Sequence, residues 1–429
     1  MTMNITILRQ GSRGDVQPYV ALGIGLRNAG YHVRMPAPEV FRHLISDAGL
    51  EFIPNHGFDP QDFIRTPAIQ ASARQGGQLQ VLVSLLRKAG PLLEGMLDEY
   101  WRTSEGADAL IASTLVFGVP DCAEKRSIPL ISAPIHALLN PTRAFPSAFL
   151  APWGARENIF ANPITHRLVQ VAFWFMFRAA LNRWRLKMGL SPISNYFQWL
   201  QARNTLTLYG FSPSVLPTPN DWPLNHHVTG YWFLEEPPGW QPPPALISFL
   251  ESGRPPVYVG FGSMDAQDPA RMTTLVVNAL AASGQRGVLA SGWGGLHAES
   301  LPETIFPIRD IPHSWLFHKM AALVHHGGMG TTAAGLRSGI PSIILPVAGD
   351  QPFWADRVQR LGVGIRSSGY FKITAERLAA DIARAVGDIT LRGNAAALGE
   401  KIRAERGVQR AVELIQKFPL TMKKVTIHS

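Results

Sequence analysis

The sequence is poor in cysteine and in charged residues. Cys122 is the only cysteine among 429 residues, which excludes an intramolecular disulfide framework and a zinc cluster built on cysteine, and indicates a cytoplasmic protein. Charged residues make up 17% of the chain and apolar residues 46%, the opposite of the balance in intrinsically disordered proteins. The length suits two or three folded domains of about 150 residues each.

Several functional signatures are also missing. The net charge is +9, from 40 Lys and Arg against 31 Asp and Glu, but there is no long basic run and no zinc-finger spacing, so we expect no nucleic-acid partner. The amino terminus lacks the basic and apolar regions of a signal peptide. The most apolar stretch, 168–181, is shorter than the roughly 18 residues of a membrane span. We therefore expect no transmembrane helix.

Strand and helix patterns alternate in both halves of the chain. An apolar strand at Ile5–Leu8 is followed by a loop, a helical run at Tyr19–Ala29 and a new strand from Tyr31. Val257–Gly260 opens the same order of strand, loop and helix in the second half. Such alternation predicts mainly parallel sheets with helices on both faces. We predict an α/β protein with two Rossmann-like domains facing a central cleft.

A proline-rich stretch divides the two halves. Prolines are frequent between Ser212 and Pro256, and helical periodicity is weak there, which is typical of an interdomain linker. The predicted units are a first domain at 1–215, a linker at 216–244, a second domain at 245–400, and a terminal helix and tail at 401–429 that packs back on the first domain.

The first strand-to-helix turn does not fit a dinucleotide. It reads Gly11-Ser-Arg-Gly-Asp15, whereas dehydrogenases carry a G-x-G-x-x-G fingerprint at this place. The nearby Gly23-Ile-Gly25 lies inside the helical run. We therefore expect no nicotinamide cofactor.

A glycine-rich turn is the most informative segment of the chain. An apolar strand ends at His325-His326, and Gly327, Gly328 and Gly330 precede a helix opened by Thr331-Thr332. The glycines let the backbone approach a ligand closely, and the helix directs free N–H groups and a partial positive charge at the turn. With His326 as a further donor, this pattern predicts a diphosphate cradle. The alternative is a plain strand–turn–helix corner with a buried histidine.

A carboxylate and a carboxamide follow the next strand. Asp350 and Gln351 come after the apolar run that ends at Pro346, and the carboxyl ends of parallel strands are where such sheets bind ligands. Together the two side chains offer the acceptors and donors that sugar hydroxyls need. The alternative is a helix cap beside a surface glutamine.

These strings resemble the donor-binding signature of the family 1 nucleotide-sugar glycosyltransferases, which have the GT-B fold. Within that family the chain is similar to the sterol 3β-glucosyltransferases, and antibiotic glycosyltransferases and lipid-directed rhamnosyltransferases share much of the pattern. The resemblance implies that the first domain binds the acceptor and the second the nucleotide sugar. The matching strings run in order through nearly the whole chain: 11–22, 258–264, 291–294, 312–317, 324–341 and 349–354.

The resemblance implies that Asp15 is the catalytic base. An inverting transfer needs one base to take the proton of the acceptor hydroxyl as it attacks the anomeric carbon. The alternative for Asp15 is an acid that only stabilises the start of a helix. Many plant relatives use a histidine with an aspartate partner, but no acid stands near the corresponding Ser113-Thr114, so the sequence identifies no partner for Asp15.

A larger set of residues is implied to hold the donor, with Ile311 at the nucleobase. The sequence contains no Asp-x-Asp, so we expect no metal site and no cofactor beyond the nucleotide sugar, with preorganised donors stabilising the leaving diphosphate. A turn role for Ser263 and simple solvation of Arg13 remain alternatives. The donor-binding set is Ser12, Arg13, Gly14, Ser263, Ile311, His326, Gly328, Met329, Gly330, Thr331, Thr332, Asp350 and Gln351.

An apolar helical face is the candidate for acceptor contact. Trp174, Phe177, Leu181 and Trp184 recur at helical spacing. We expect Trp174 and Phe177, together with Trp354, to bind the acceptor, or the helix to contact the inner face of a membrane peripherally. Packing in the core is the alternative for all of them.

The expected function is inverting, metal-independent transfer of a hexose, glucose from UDP-glucose, to a hydroxyl of an apolar acceptor such as a sterol. One alternative is transfer of a deoxysugar from a dTDP-sugar to a polyketide or peptide. Another is a GT-B-fold epimerase acting on UDP-GlcNAc, which needs further carboxylates beside the sugar. The last alternative is a protein that binds a nucleotide sugar without catalysis. The presence of Asp15 together with the cradle argues against it.

Overall fold

Two wholly parallel sheets organise the chain. The computed structural model describes residues 2–55, 93–153, 158–237, 239–262, 269–290, 301–347 and 349–419. The first sheet has the order β3-β2-β1-β4-β5-β6-β7 and the second β10-β9-β8-β11-β12-β13, with parallel pairing at every described ladder. The strands are β1 Asn4–Leu8, β2 His32–Ala37, β3 Glu51–Pro54, β4 Ala109–Ala112, β5 Leu130–Ser132, β6 Leu206–Tyr209, β7 His226–Val228, β8 Val257–Gly260, β9 Gly287–Ala290, β10 Ile305–Ile308, β11 Ala322–His325, β12 Ser342–Ile344 and β13 Gly364–Arg366.

Helices connect the strands and form the outer layers. A further helical segment covers 93–103, and short 3₁₀ turns lie at Glu39–Phe41, Ala148–Trp153 and Phe317–Lys319. The α-helices are α1 Arg13–Asn28, α2 Arg42–Ser46, α3 Val119–Arg126, α4 Asn162–Lys187, α5 Tyr196–Ala202, α6 Pro244–Glu251, α7 Pro269–Ala282, α8 His313–Leu316, α9 Met329–Ser338, α10 Gln351–Arg360, α11 Ala375–Gly387, α12 Ile389–Ala404 and α13 Gly407–Lys417.

This architecture confirms the predicted α/β class with two parallel-sheet domains. The sequence predicted β8 at the observed residues and β1 to within one residue, because each is a short and largely apolar run. The first helix begins at Arg13, six residues before the predicted Tyr19. Ser12 and Asp15 cap a first turn that forms ahead of Pro18, and proline is tolerated near a helix start.

The first sheet extends beyond the predicted boundary at residue 215. Strand β7 pairs with β6 although it lies within 216–244, the segment that the sequence predicted as a linker. The prolines of this segment disfavour helix but leave a three-residue strand free to add to the sheet edge.

The last helix lies against the first domain. Helix α13 contacts α1, where Gly25 lets the two backbones approach: a Cβ on Gly25 would lie 2.5 Å from Cγ1 of Val408 and 3.1 Å from Cγ2 of Val412. Just before α13, Glu405 Oε1 accepts hydrogen bonds from the hydroxyls of Ser212 at 2.6 Å and Ser214 at 3.0 Å. Between α12 and α13 the chain therefore passes from the second domain back to the first.

Apolar packing joins the two domains on one side of the cleft. The largest core cluster combines first-domain residues with residues of α9, α10 and α12, and the rings of Phe145 and Phe353 meet edge to face at 6.3 Å. Arg357 Nε donates to the carbonyl of Val215 at 2.6 Å. None of the helices in the described ranges combines the length and hydropathy needed to cross a bilayer.

We expect Gly25→Ala to lower the free energy of unfolding by about 1–3 kcal/mol, because the added methyl group overpacks the contact between α1 and α13. Chemical denaturation with urea measures this. The matched control is Gly95→Ala, since no atom lies within 4 Å of a Cβ built on Gly95; it should stabilise by about 0.5–1 kcal/mol as an ordinary helical glycine replacement. Equal effects at both sites would contradict the packing described for Gly25.

Candidate active site

The loops that follow the strands of both sheets meet between the two domains. Asp15 follows β1 and His136 follows β5 on the first domain. On the second domain, Gly262 follows β8, the glycine-rich turn 326–328 follows β11, and Asp350 follows β12. The carboxyl ends of parallel strands are the usual ligand edge of such sheets, so the topology brings the predicted catalytic and donor-binding residues to one place.

Asp15 is held rigidly at the start of α1. Its Oδ2 accepts hydrogen bonds from Ser12 N at 2.8 Å and Ser12 Oγ at 3.0 Å, while its Oδ1 lies 3.4 Å from Nε2 of His136. Gly11 has φ of +114°, and a Cβ there would lie 2.4 Å from Asp15 Oδ2. Only glycine therefore leaves space for this carboxylate.

His136 bridges the two domains between two carboxylates. Its Nδ1 lies 3.2 Å from Oδ2 of Asp350, and its Nε2 faces Asp15. Asp350 Oδ2 also accepts a hydrogen bond of 2.7 Å from the indole nitrogen of Trp354. The His136 side chain is 16% exposed. The catalytic candidate and the sugar-binding candidate are thus linked through a single imidazole.

The two carboxylates keep this imidazole charged. Burial lowers the pKa of His136, but the hydrogen bonds and charges of Asp15 and Asp350 outweigh burial and raise it to about 10. For Asp350, burial raises the pKa, yet His136 and the Trp354 indole together hold it below its usual value. At neutral pH the imidazole of His136 is therefore positively charged, and the carboxylate of Asp350 beside it is ionised.

The glycine-rich turn encloses a neutral histidine. A Cβ on Gly328 would lie 2.5 Å from Nε2 of His326, and a Cβ on Gly262 2.9 Å from its Cε1. Burial lowers the pKa of His326 to about 4, so its ring is uncharged. Its Nδ1 is buried and has no hydrogen-bond partner among the described residues. Such an atom gains from a polar ligand, and a diphosphate oxygen fits it.

Two helix N-termini approach each other across the cleft. A Cβ on Gly330, in the first turn of α9, would lie 3.2 Å from Cα of Gly14, in the first turn of α1. The amides of Met329, Gly330 and Thr331 open α9 and have no intrahelical acceptor. The hydroxyl of Thr332 donates to the Gly328 carbonyl at 3.0 Å, so it stabilises the turn.

The other predicted donor residues occupy varied positions. Ser12 supports Asp15, as described above. Arg13 forms an exposed ion pair of 2.6 Å with Asp310 of the second domain. Gln351 Oε1 accepts from the amide of Val347 at 2.8 Å, and Ile311 is half-buried beside a small core cluster. Ser263 lies outside the described residues.

The structure places the three predicted acceptor residues in the core or beside it. Trp354 is 1% exposed and supports Asp350 from within the core, so it does not line an open acceptor wall. Trp174 donates to the Ser194 carbonyl at 2.8 Å, and Phe177 lies against Phe117 with ring centroids 4.3 Å apart. The predicted apolar face of α4 therefore packs inward, since a stripe of this width is what helix-on-core packing requires.

His136 is the functional residue that the sequence did not reveal. It stands four residues after the end of β5, a position typical of site residues in parallel sheets. The family resemblance points only to an acid after β4, and a lone histidine 121 residues from Asp15 carries no local pattern. Among the described residues, no group of three His, Cys, Asp or Glu side chains is arranged to hold a metal ion.

We expect the effect of His136→Gln on thermal stability to depend on pH. Because the pKa of His136 is raised from 6.5 to about 10, its contribution is complete below about pH 6.5 and is lost as the pH rises through about 10. The melting temperature of the variant should therefore be furthest below that of the wild type at about pH 6. The two melting temperatures should converge at about pH 10. Replacing the exposed His43 by Gln is the control, and a pH-independent difference for His136→Gln would contradict a charged bridge.

Comparisons with known proteins agree with this geometry. The glycosyltransferase family 28 N-terminal domain matches residues 5–137, and the erythromycin biosynthesis protein CIII-like C-terminal domain matches residues 294–417. O-mycaminosyltylonolide 6-deoxyallosyltransferase of Streptomyces fradiae is 37% identical over 432 residues, covering 100% of both chains. A sterol 3-beta-glucosyltransferase of Cryptococcus neoformans var. neoformans serotype D is 35% identical over 442 residues, covering 97% of this chain but only 27% of that protein.

A solved structure shares the whole fold. The glycosyltransferase SsfS6 of Streptomyces sp. SF2575, complexed with thymidine diphosphate, has a TM-score of 0.64 at 21% identity and covers 97% of this chain and 100% of its own. None of these comparisons supports the epimerase alternative. A relative that matches from end to end, on a fold of two facing parallel sheets, shows that this chain belongs to the family 1 glycosyltransferases of the GT-B fold and transfers a sugar.

Proposed function

We propose that the protein catalyses inverting transfer of a hexose, glucose from UDP-glucose, to a hydroxyl group of an apolar acceptor such as a sterol, in the cytoplasm and without a metal ion. The placement of Asp15 supports this proposal most strongly. Its carboxylate lies on the first domain and is linked through His136 to Asp350 on the second domain. The glycine-rich turn belongs to the same second domain.

Asp15 is suited to be the base because its two oxygens have different surroundings. Oδ2 is occupied by Ser12, whereas Oδ1 faces the cleft beside His136. In the proposed step, Oδ1 takes the proton of the acceptor hydroxyl while that oxygen bonds to the anomeric carbon. The bond from this carbon to the diphosphate breaks at the opposite face, so the configuration inverts.

The leaving diphosphate gains one negative charge as the bond to the anomeric carbon breaks, and the second domain offers groups that can stabilise it. The opening amides of α9 and its partial positive charge point at the glycine-rich turn. His326 adds a neutral imidazole whose buried Nδ1 lacks a partner among the described residues. Such preorganised donors can stabilise a leaving group without a metal. Asp350 and Gln351, at the start of α10, are the proposed contacts to the donor sugar.

A deoxysugar transfer to a polyketide is the second candidate. The relative that covers the whole chain is named a 6-deoxyallosyltransferase, and the structurally similar SsfS6 was crystallised with thymidine diphosphate. Sterol 3-beta-glucosyltransferases match this chain at 34–38% identity. A largely apolar acceptor that carries a hydroxyl group is common to both candidates, so the donor distinguishes them.

We expect a donor panel to identify the reaction. Purified protein should convert UDP-glucose and a sterol to the glucoside detected by mass spectrometry, with lower yield from dTDP-glucose, and excess EDTA should leave the rate unchanged. Product only from a dTDP-deoxyhexose and a macrolide aglycone would replace the first candidate by the second. Loss of activity in EDTA, restored by a divalent cation, would refute the metal-free mechanism.

We expect Asp15→Asn to lower kcat by about 10²–10⁴-fold, because the amide cannot accept the hydroxyl proton but retains the shape of the side chain. Donor affinity, measured by calorimetry, should change little. Asp47→Asn, at the exposed end of α2, is the matched control and should retain the wild-type rate. Full transfer by the Asp15 variant would remove this residue from the mechanism.

A further inference from the structure

Helix α4 exposes an apolar stripe on the face opposite to its packed side. Ile164, Leu168, Val171 and Phe175 are 55–79% exposed, and Phe160, just before the helix, is 82% exposed. Their spacing of four, four, three and four residues places them along one side of a helix. At 1.5 Å per residue the part of the stripe within the helix, from Ile164 to Phe175, is about 17 Å long.

This stripe is distinct from the face that anchors the helix. His166, Val169, Leu181 and Trp184 are buried and attach α4 to the first domain. Single exposed apolar residues are ordinary on protein surfaces, but a contiguous apolar patch marks a contact with another molecule or a membrane. The helix is therefore apolar on two sides. Within the described part of the chain, only the buried side packs against the rest of the protein.

The charges on α4 are of one sign. The helix contains no Asp or Glu between Asn162 and Lys187. Arg183 pairs with Glu94, and Lys187 with Asp98. Arg167 and Arg178 are exposed and form no ion pair with the described residues. They lie eleven positions apart, about three helical turns, and so border the stripe on the same side.

We propose that the outer face of α4 rests on an anionic lipid bilayer, with Phe160, Leu168 and Phe175 inserted below the headgroups and Arg167 and Arg178 paired with lipid phosphates. An interfacial helix combines these two features: apolar side chains enter the acyl boundary, and basic side chains at its margin meet the anionic surface. The net charge of +9 attracts the whole protein to the same surface.

A second copy of the chain fits this face less well. A twofold pairing of two α4 helices would bring the arginine margins of both copies close together, and like charges repel. A bilayer supplies the opposite charge and a flat apolar layer instead. The inference rests on the proposed function only for its biological purpose, because apolar acceptors accumulate in membranes. Membrane binding itself can be measured without any substrate.

Co-sedimentation with phosphatidylcholine vesicles that contain phosphatidylglycerol tests the proposal. The double variant Leu168→Ser/Phe175→Ser should bind at least about tenfold more weakly than wild type, because each removes an inserted apolar side chain. The matched control is Leu224→Ser/Ile389→Ser, which removes two apolar side chains that are 97% and 83% exposed elsewhere; it should bind like wild type. Arg167→Gln/Arg178→Gln should lose the preference for phosphatidylglycerol, and added salt should weaken wild-type binding.

Several results would overturn the proposal. These are absence of wild-type sedimentation with vesicles, equal binding by the outer-face variant, or a dimer in sedimentation equilibrium that this variant abolishes. A lower melting temperature of the outer-face variant would show that the stripe is packed within the folded protein, and would also overturn it. Transfer to a detergent-dispersed acceptor separates this outcome from the proposed function, because the outer-face variant should retain it whether or not vesicles are bound.

Discussion

A cation between two carboxylates spans the cleft, and the arrangement of the site depends on it. His136 and Asp15 belong to the first domain and Asp350 to the second. Without the positive charge, the buried carboxylate of Asp350 would lose the partner that helps to hold its pKa below the usual value. With it, Asp350 stays ionised, and one imidazole ties Asp15 on the first domain to Asp350 on the second.

The residues behind this bridge explain why it is rigid. Ser12 fixes one oxygen of Asp15 from its own helix, and the absence of a side chain at Gly11 leaves space for it. Trp354 fixes Asp350 from the opposite domain while remaining part of the core. The apolar core shared by the two domains then resists their separation. Side chains supported in this way need little reorganisation when a ligand arrives.

The sequence predicts those features that depend on local chemistry. Short apolar runs predict the strands, and the glycine-rich turn before Thr331 predicts the cradle, because both signals occupy a few consecutive residues. His136 escapes such an analysis since it meets Asp15 only through the strand order β1-β4-β5. The inward and outward faces of α4 are equally ambiguous, because both are apolar, and only the packing of the first domain determines which one contacts the core.

The close approach of Gly14 and Gly330 has an electrostatic consequence. The helices α1 and α9 begin at this contact, so two partial positive charges of the helix dipoles face each other across the cleft. The carboxylate of Asp15 compensates part of that field within α1. An anion bound in the cleft would be attracted by both helices at once and would act as a counterion shared between the domains.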